Sequence, residues 1–286
     1  MNLDLRSYEG RTPSRTATTE NFPVGSRLLP RALRPTVAAF YRFARAADDI
    51  ADDPSLDADA KLTLLDAMDR SLLGEKPELM HPGIRFGHEL RAIFAERRLS
   101  LDNPRHLLVA FRADASNRPC RSWSDLLAYC RYSAAPVGRF LLELHGEDSA
   151  ALPAADALCT ALQILNHLQD CQVDFRNLHR VYIPSDWLDE HGVPPRELLA
   201  PRTPPELRAV FDRMLDRVDQ LNATAAGLPA SIRQRGLRME VAAILEISCR
   251  LTWKLRRGDP LARRVVLSRV EKFASIAAGV MRGWRA

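Results

Sequence analysis

The chain has 286 residues, 46% apolar and 27% charged, with only 13 glycines and 41 Lys and Arg against 36 Asp and Glu. That apolar content can build a sizeable core and excludes global disorder, and the scarcity of glycine argues against a turn-rich β protein. A net charge of +5 permits an anionic partner but does not make a nucleic-acid binder, and none is expected.

In chain order, residues 1–20 read as a polar N-terminal arm and 21–286 as one large helical domain. Val37, Phe40, Tyr41 and Ala44 recur at helical steps, predicting a helix over about 31–52 that Pro54 stops. Further helices are expected near 57–73, 83–98 and 103–115, followed by a long one at 122–146 kinked at Pro136. Another is expected at 154–176. The segment 177–203, interrupted by Pro184, Pro194, Pro195 and Pro201, reads as a connector with short helical turns. Helices return at 204–227, 230–256 and 259–284. In the last, Val270, Phe273, Ala277, Val280 and Trp284 form a stripe that reads as core-facing rather than as a membrane anchor.

Five cysteines at wide spacings, with no CxxC, argue against a disulfide framework or a zinc site and fit a reducing compartment. No apolar signal core opens the sequence, and no apolar run approaches the roughly 20 residues of a spanning helix. The expected location is cytoplasmic, with peripheral contact at the inner membrane face admitted.

Two acidic stripes carry the chemistry. In Asp48-Asp49-Ile50-Ala51-Asp52-Asp53, Asp48 with Asp52 and Asp49 with Asp53 share helix faces near the negative end of the helix dipole. Such crowding asks for a cation. Mg²⁺ suits it, taking one or two carboxylates plus substrate phosphates. The plainer alternative is a solvated helix end with Arg45 paired to Asp48 or Asp49. Gln163, Asn166, Asp170 and Asp174, spaced three, four and four, form a second stripe across an apolar segment. They too offer oxygen ligands, unless they are the wet face of an amphipathic helix. Together the stripes suggest an anionic cavity in which Mg²⁺ ions hold a diphosphate, a clamp for ionising a phosphorylated carbon.

The residues Tyr41 to Asp52, Asn166-x3-Asp170-x3-Asp174 preceded by Gln163, Arg180-Val181-Tyr182-Ile183-Pro184, and Tyr129-Cys130-x7-Gly138 resemble the squalene/phytoene synthase family over residues 17–285. The resemblance implies an all-α isoprenoid-synthase fold with a central cavity. It also implies an Mg²⁺-dependent enzyme that ionises a prenyl-type diphosphate. On it, Asp48, Asp52, Asn166, Asp170 and Asp174 hold metal. Asn21, Arg45, Gln163, Arg180 and Tyr182 bind substrate. Asp48, Asp52, Asp170 and Asp174, with Tyr41 and Tyr129, serve catalysis. Phe22, Phe40, Phe43, Val137 and Phe140 could wall the cation, though ordinary core is the plainer role of each. His167, Tyr41 and Ser133 are the candidates for positioning water.

Three stretches, 20–30, 129–139 and 165–170, resemble the bacterial branch of that family that converts presqualene diphosphate to hydroxysqualene in hopanoid biosynthesis, with water rather than hydride completing the reaction. No dinucleotide fingerprint is present, so NADPH is not expected. The sequence departs from the wider family at Gln169, where arginine is usual, at Ala135-Pro136-Val137, and at Asn21, where serine is usual. These departures weigh against joining two farnesyl diphosphates and suit a pre-joined C30 substrate. Functional coupling to a presqualene diphosphate synthase and a hydroxysqualene reductase would follow. The rivals are head-to-head condensation of prenyl diphosphates and a scaffold that keeps the fold. Arginines over 250–272 read as a solvated face, with a role near the diphosphate or an anionic membrane also open.

Overall fold

In the computed structural model, residues 28–78 and 81–286 are described, and every regular element among them is helical, as expected. They gather into two compact units, one ending at Arg118 and the other beginning at Pro119.

The first unit is built from α1 (Arg34–Asp52), α2 (Ala58–Leu72), α3 (Pro82–Arg97) and α4 (Asp102–Ala115). Helix α1 buries Val37, Phe40, Phe43, Ala47 and Ile50, a three- and four-residue rhythm that leaves its carboxylates on the other faces. It ends where Asp53 turns extended ahead of Pro54, the conformation a following proline demands. Asp57 caps α2, its carboxylate accepting the Ala60 N–H at 2.8 Å. Helix α1 packs on α2, α3 and α4, with the Phe40 and Phe94 rings stacked at 6.4 Å. Burying each such side chain contributes about 1.5–3 kcal/mol.

The second unit centres on α7 (Leu152–Leu178), packed by α5 (Trp123–Ser133), α6 (Ala135–Leu144), α9 (Pro205–Ala225) and α11 (Arg235–Arg257). Short helices α8 (Ser185–Glu190) and α10 (Leu228–Ser231) complete the connections, with a 3-10 turn at Pro195–Leu199. The core joins Leu126, Ile164, Leu165, Leu168, Phe211, Met214 and Leu251. Helix α6 meets α7 at Gly138, where a Cβ would stand 2.7 Å from Cys159 Sγ.

Three expectations need correction. The 122–146 helix is two helices rather than one kinked rod, because Pro136 forces a break: Ala134 leaves helical geometry at φ −123° and ψ −49°. The 259–284 helix starts ten residues later, as α12 (Arg269–Arg285). Asp259 instead gathers Thr203 Oγ1 and the N–H groups of Thr203, Leu261 and Ala262, holding 258–268 as a loop, and the reciprocal Ser268–Glu271 capping box begins the helix. The expected stripe of α12 is not core. Val270, Phe273 and Trp284 are exposed, while Ser275, Gly279 and Gly283 are buried against α11. A Cβ on Gly279 would lie 2.3 Å from Ala243 Cα, so this contact is backbone against backbone and only small residues fit.

Candidate active site

In the first unit, α1 presents its acidic end beside a guanidinium. Arg45 Nη1 meets Asp48 Oδ2 at 2.7 Å and Nη2 meets Asp49 Oδ1 at 3.2 Å. The pairing that the plainer alternative foresaw is present, but the three side chains are half-buried rather than solvated. Burial, and next the Asp52 carboxylate, push Asp48 up to about 7 despite the pull of Arg45. Asp114 on α4 and Asp49 add to the push. Asp114 was not singled out from sequence, since nothing in a local pattern ties position 114 to position 48. Among the described residues no three His, Cys, Asp or Glu side chains form a ready cage for a metal ion. The donor chemistry still fits Mg²⁺. It commonly takes only one or two carboxylates with water and phosphate, and a cation here would relieve the carboxylate repulsion that adds to burial in raising Asp48.

In the second unit, α7 carries Gln163, Asn166, Asp170 and Asp174, all half-buried, above a buried row of Ile164, Leu165 and Leu168. Asp170 is held at both oxygens by Arg264, through Nε at 2.5 Å and Nη2 at 2.8 Å. The neighbouring Gln169, buried, donates Nε2 to the Val265 carbonyl at 2.6 Å. Adjacent residues of α7 thus hold adjacent residues of the 258–268 loop.

Aromatic candidates converge in the same unit. His167 stacks on Tyr182 with ring centroids 3.8 Å apart, and Tyr129 packs against both at 5.7 and 5.1 Å. The Gln163 amide nitrogen lies 3.3 Å from His167 Nε2, which accepts in the tautomer protonated at Nδ1. Burial pushes His167 down to about 3, so the ring is neutral. Helix α7 closes at His179, in the left-handed conformation at φ 54°, and the Arg180 N–H turns back to the Asp174 carbonyl at 3.3 Å. Arg180 is itself buried rather than a surface arginine. Ser133 Oγ, beside the α5–α6 break, is buried with no hydrogen-bond partner among the described residues.

Gln163, Tyr129, His167 and Tyr182 are therefore brought together, as are Arg45, Asp48 and Asp49. Tyr41, in the first unit, is half-buried on α1. Phe40, Phe43 and Phe140 are buried as core residues. Asn21 and Phe22 lie outside the described residues.

A family profile described as "Squalene/phytoene synthase" matches residues 15–271. The chain belongs to the squalene/phytoene synthase family. It is an enzyme of that family by its likeness to curated relatives. It is 41% identical over 273 residues to a hydroxysqualene synthase of Rhodopseudomonas palustris, covering 93% of this chain and 89% of that one. It is 40% identical to the hydroxysqualene synthase of Sinorhizobium fredii, over 88% and 85% of the two chains. A crystal structure of a squalene synthase from Alicyclobacillus acidocaldarius superposes with a TM-score of 0.71 at 31% identity, covering 85% of this chain and 90% of the other. Among the described residues no helix is long and apolar enough to cross a membrane.

Proposed function

We propose that this member of the family converts presqualene diphosphate and water to hydroxysqualene and diphosphate. The observation that carries the reaction class is the pair of carboxylate sets, each already facing a guanidinium: Arg45 at Asp48 and Asp49, Arg264 at Asp170. Supporting the branch is the likeness to relatives named hydroxysqualene synthase.

Asp48 and Asp52 would hold one share of Mg²⁺, and Asn166, Asp170 and Asp174 the other. When bound, the metal supplies Lewis-acid neutralisation of the diphosphate. The chain's own residues do the rest. Arg45, Arg180 and Arg264 offer charge-assisted hydrogen bonds to diphosphate oxygens as the carbon–oxygen bond breaks and its electron pair leaves with diphosphate. Gln163, with Tyr182, fixes the His167 ring. The neutral Tyr129–His167–Tyr182 cluster faces the cation with π-systems rather than with a competing base. One water then adds to the rearranged C30 cation, and its spare proton leaves to solvent or diphosphate. Ser133, whose hydroxyl has no hydrogen-bond partner among the described residues, is the water-positioning residue of this reading. Because substrate and product are C30 lipids, the reading includes work at a membrane surface and exchange with a presqualene diphosphate synthase and a hydroxysqualene reductase.

Product analysis tests it. Purified protein with Mg²⁺ and without NADPH is offered presqualene diphosphate and farnesyl diphosphate separately. Hydroxysqualene from the first and no condensation of the second is the expected result. Presqualene diphosphate made from farnesyl diphosphate would replace the reading with head-to-head condensation. No turnover of either, nor of geranylgeranyl diphosphate offered next, would favour a scaffold.

A further inference from the structure

Helix α12 has two opposed faces. Ser275, Gly279 and Gly283 recur every four residues and seat the helix on α11, leaving no room for a larger side chain at Gly279. On the far side Val270, Phe273, Met281 and Trp284 are 78, 74, 57 and 59% exposed. At helical spacing these four fall on one stripe with Ala277, bracketed by Arg269 on one edge and Arg285 on the other. The large apolar residues of the helix thus point away from the core. Exposed faces of that kind mark interaction sites.

Charge says what covers it. Residues 235–286 carry twelve Lys and Arg against four Asp and Glu, more excess positive charge than the whole chain, so the remainder is net acidic. The only acid of α12, Glu271, is taken up by its capping box and by Lys254. The Arg235 guanidinium sits 5.5 Å from the Trp284 ring centre, and that of Arg257 4.2 Å from the ring centre of Trp253, itself half exposed on α11. On the stripe itself, Arg269 and Arg285 line the edges and Arg235 meets Trp284, so a second copy of this face would bring like charges together. Aromatic residues edged by arginines suit the headgroup region of an anionic bilayer, where rings insert and guanidinium groups meet lipid phosphates.

We infer that the exposed stripe of α12 (Val270, Phe273, Met281, Trp284) with its flanking arginines docks this protein peripherally on an anionic lipid bilayer. The inference is separate from the reaction proposed above, since vesicle binding is read without turnover.

The test is sedimentation of the full-length protein with vesicles of phosphatidylcholine alone, or with a third of the lipid replaced by phosphatidylglycerol. The parent should pellet with the anionic vesicles and not with the neutral ones. Phe273→Ser/Trp284→Ser and Arg269→Glu/Arg285→Glu should each weaken partitioning about tenfold, the effect expected for two inserted rings or two interfacial charges. Both change exposed side chains, so thermal melting by circular dichroism should match the parent. Equal binding to neutral vesicles, or variants that bind like the parent, would overturn the inference. So would a failure of the parent to bind anionic vesicles, which would leave a protein as the occupant of the face. A concentration-dependent dimer abolished by Phe273→Ser/Trp284→Ser would assign the stripe to a second copy and overturn it as well.

Discussion

Arg264 reaches across 94 residues of sequence to grip both oxygens of Asp170, at 2.5 and 2.8 Å. A carboxylate so engaged is shielded from its own neighbours and presented beside a guanidinium that a diphosphate could share. Arg264→Gln should therefore lower kcat/KM by about 10²-fold, or ~2.7 kcal/mol of transition-state stabilisation. The pair is partly exposed, so thermal stability should fall by less than about 1 kcal/mol. Arg264→Lys should recover only part of the activity, because an ammonium lacks the two-pronged geometry. Steady-state kinetics beside thermal melts separates the two contributions; a purely structural pair would lose stability and activity together.

Asp48 predicts how the metal-free protein responds to pH. Its carboxyl is raised from 3.8 to about 7 by burial and by Asp52, so between those values the folded state binds the proton more tightly than the unfolded chain does. Stability should fall as pH rises through that window. Without metal, the wild type should lose on the order of 1–3 kcal/mol relative to Asp48→Asn between pH 4 and 8. Added Mg²⁺ should restore stability at pH 8 in the wild type and less so in Asp48→Asn. Denaturant unfolding at both pH values with EDTA and with Mg²⁺ measures this, and parallel pH curves for the two proteins would remove Asp48 as the cause.

His167 has the opposite sign. Its folded pKa is depressed from 6.5 to about 3 by burial, so between those values the unfolded chain binds the proton more tightly. The contribution is fully present above about pH 6.5 and is lost as pH falls toward 3. Wild type should lose stability relative to His167→Gln by a few kcal/mol over that acid window. The pH–rate profile above pH 5 should carry no titration from this ring. An inflection near 6 that disappears in His167→Gln would contradict a neutral histidine.

Ser133→Ala tests where water is held. The hydroxyl is buried without a hydrogen-bond partner among the described residues, so its removal should leave stability within about 1 kcal/mol or improve it. If Ser133 orients the attacking water, diphosphate release from presqualene diphosphate should continue while the yield of hydroxysqualene drops at least about tenfold in favour of products of proton loss. Unchanged product composition would dismiss Ser133 from the role.

Much of the fold was legible in local sequence. Pro54 marks a helix end by chemistry that needs no tertiary context, and the contact of Arg45 with Asp48 and Asp49 follows from helical spacing alone. The all-helical class and the family follow from the same motifs. What escaped the sequence depends on residues far apart. Arg264 sits in a run of basic residues, and only folding of the 258–268 loop singles it out. Asp114 bears on Asp48 through the packing of α4 on α1. In α12, periodicity identifies an apolar face but not its direction. Gly279 and Gly283 decide the direction, since the closest approach of two helices takes the smallest side chains rather than the greasiest ones.

The bracing of the 258–268 loop has a kinetic consequence. Asp259 ties its start to Thr203, Arg208 Nη1 donates to the Gly258 carbonyl at 3.2 Å, and Gln169 holds Val265. With its backbone pinned on both sides, Arg264 can exchange one oxygen partner for another by rotating its own side chain. Such rotations take picoseconds to nanoseconds, whereas lid-like motions run to microseconds and beyond. Turnover of roughly 1–10³ per second would be many orders of magnitude slower than this exchange. Arg264 would follow every change of charge at Asp170 without delay, and the tempo of the enzyme would be set elsewhere.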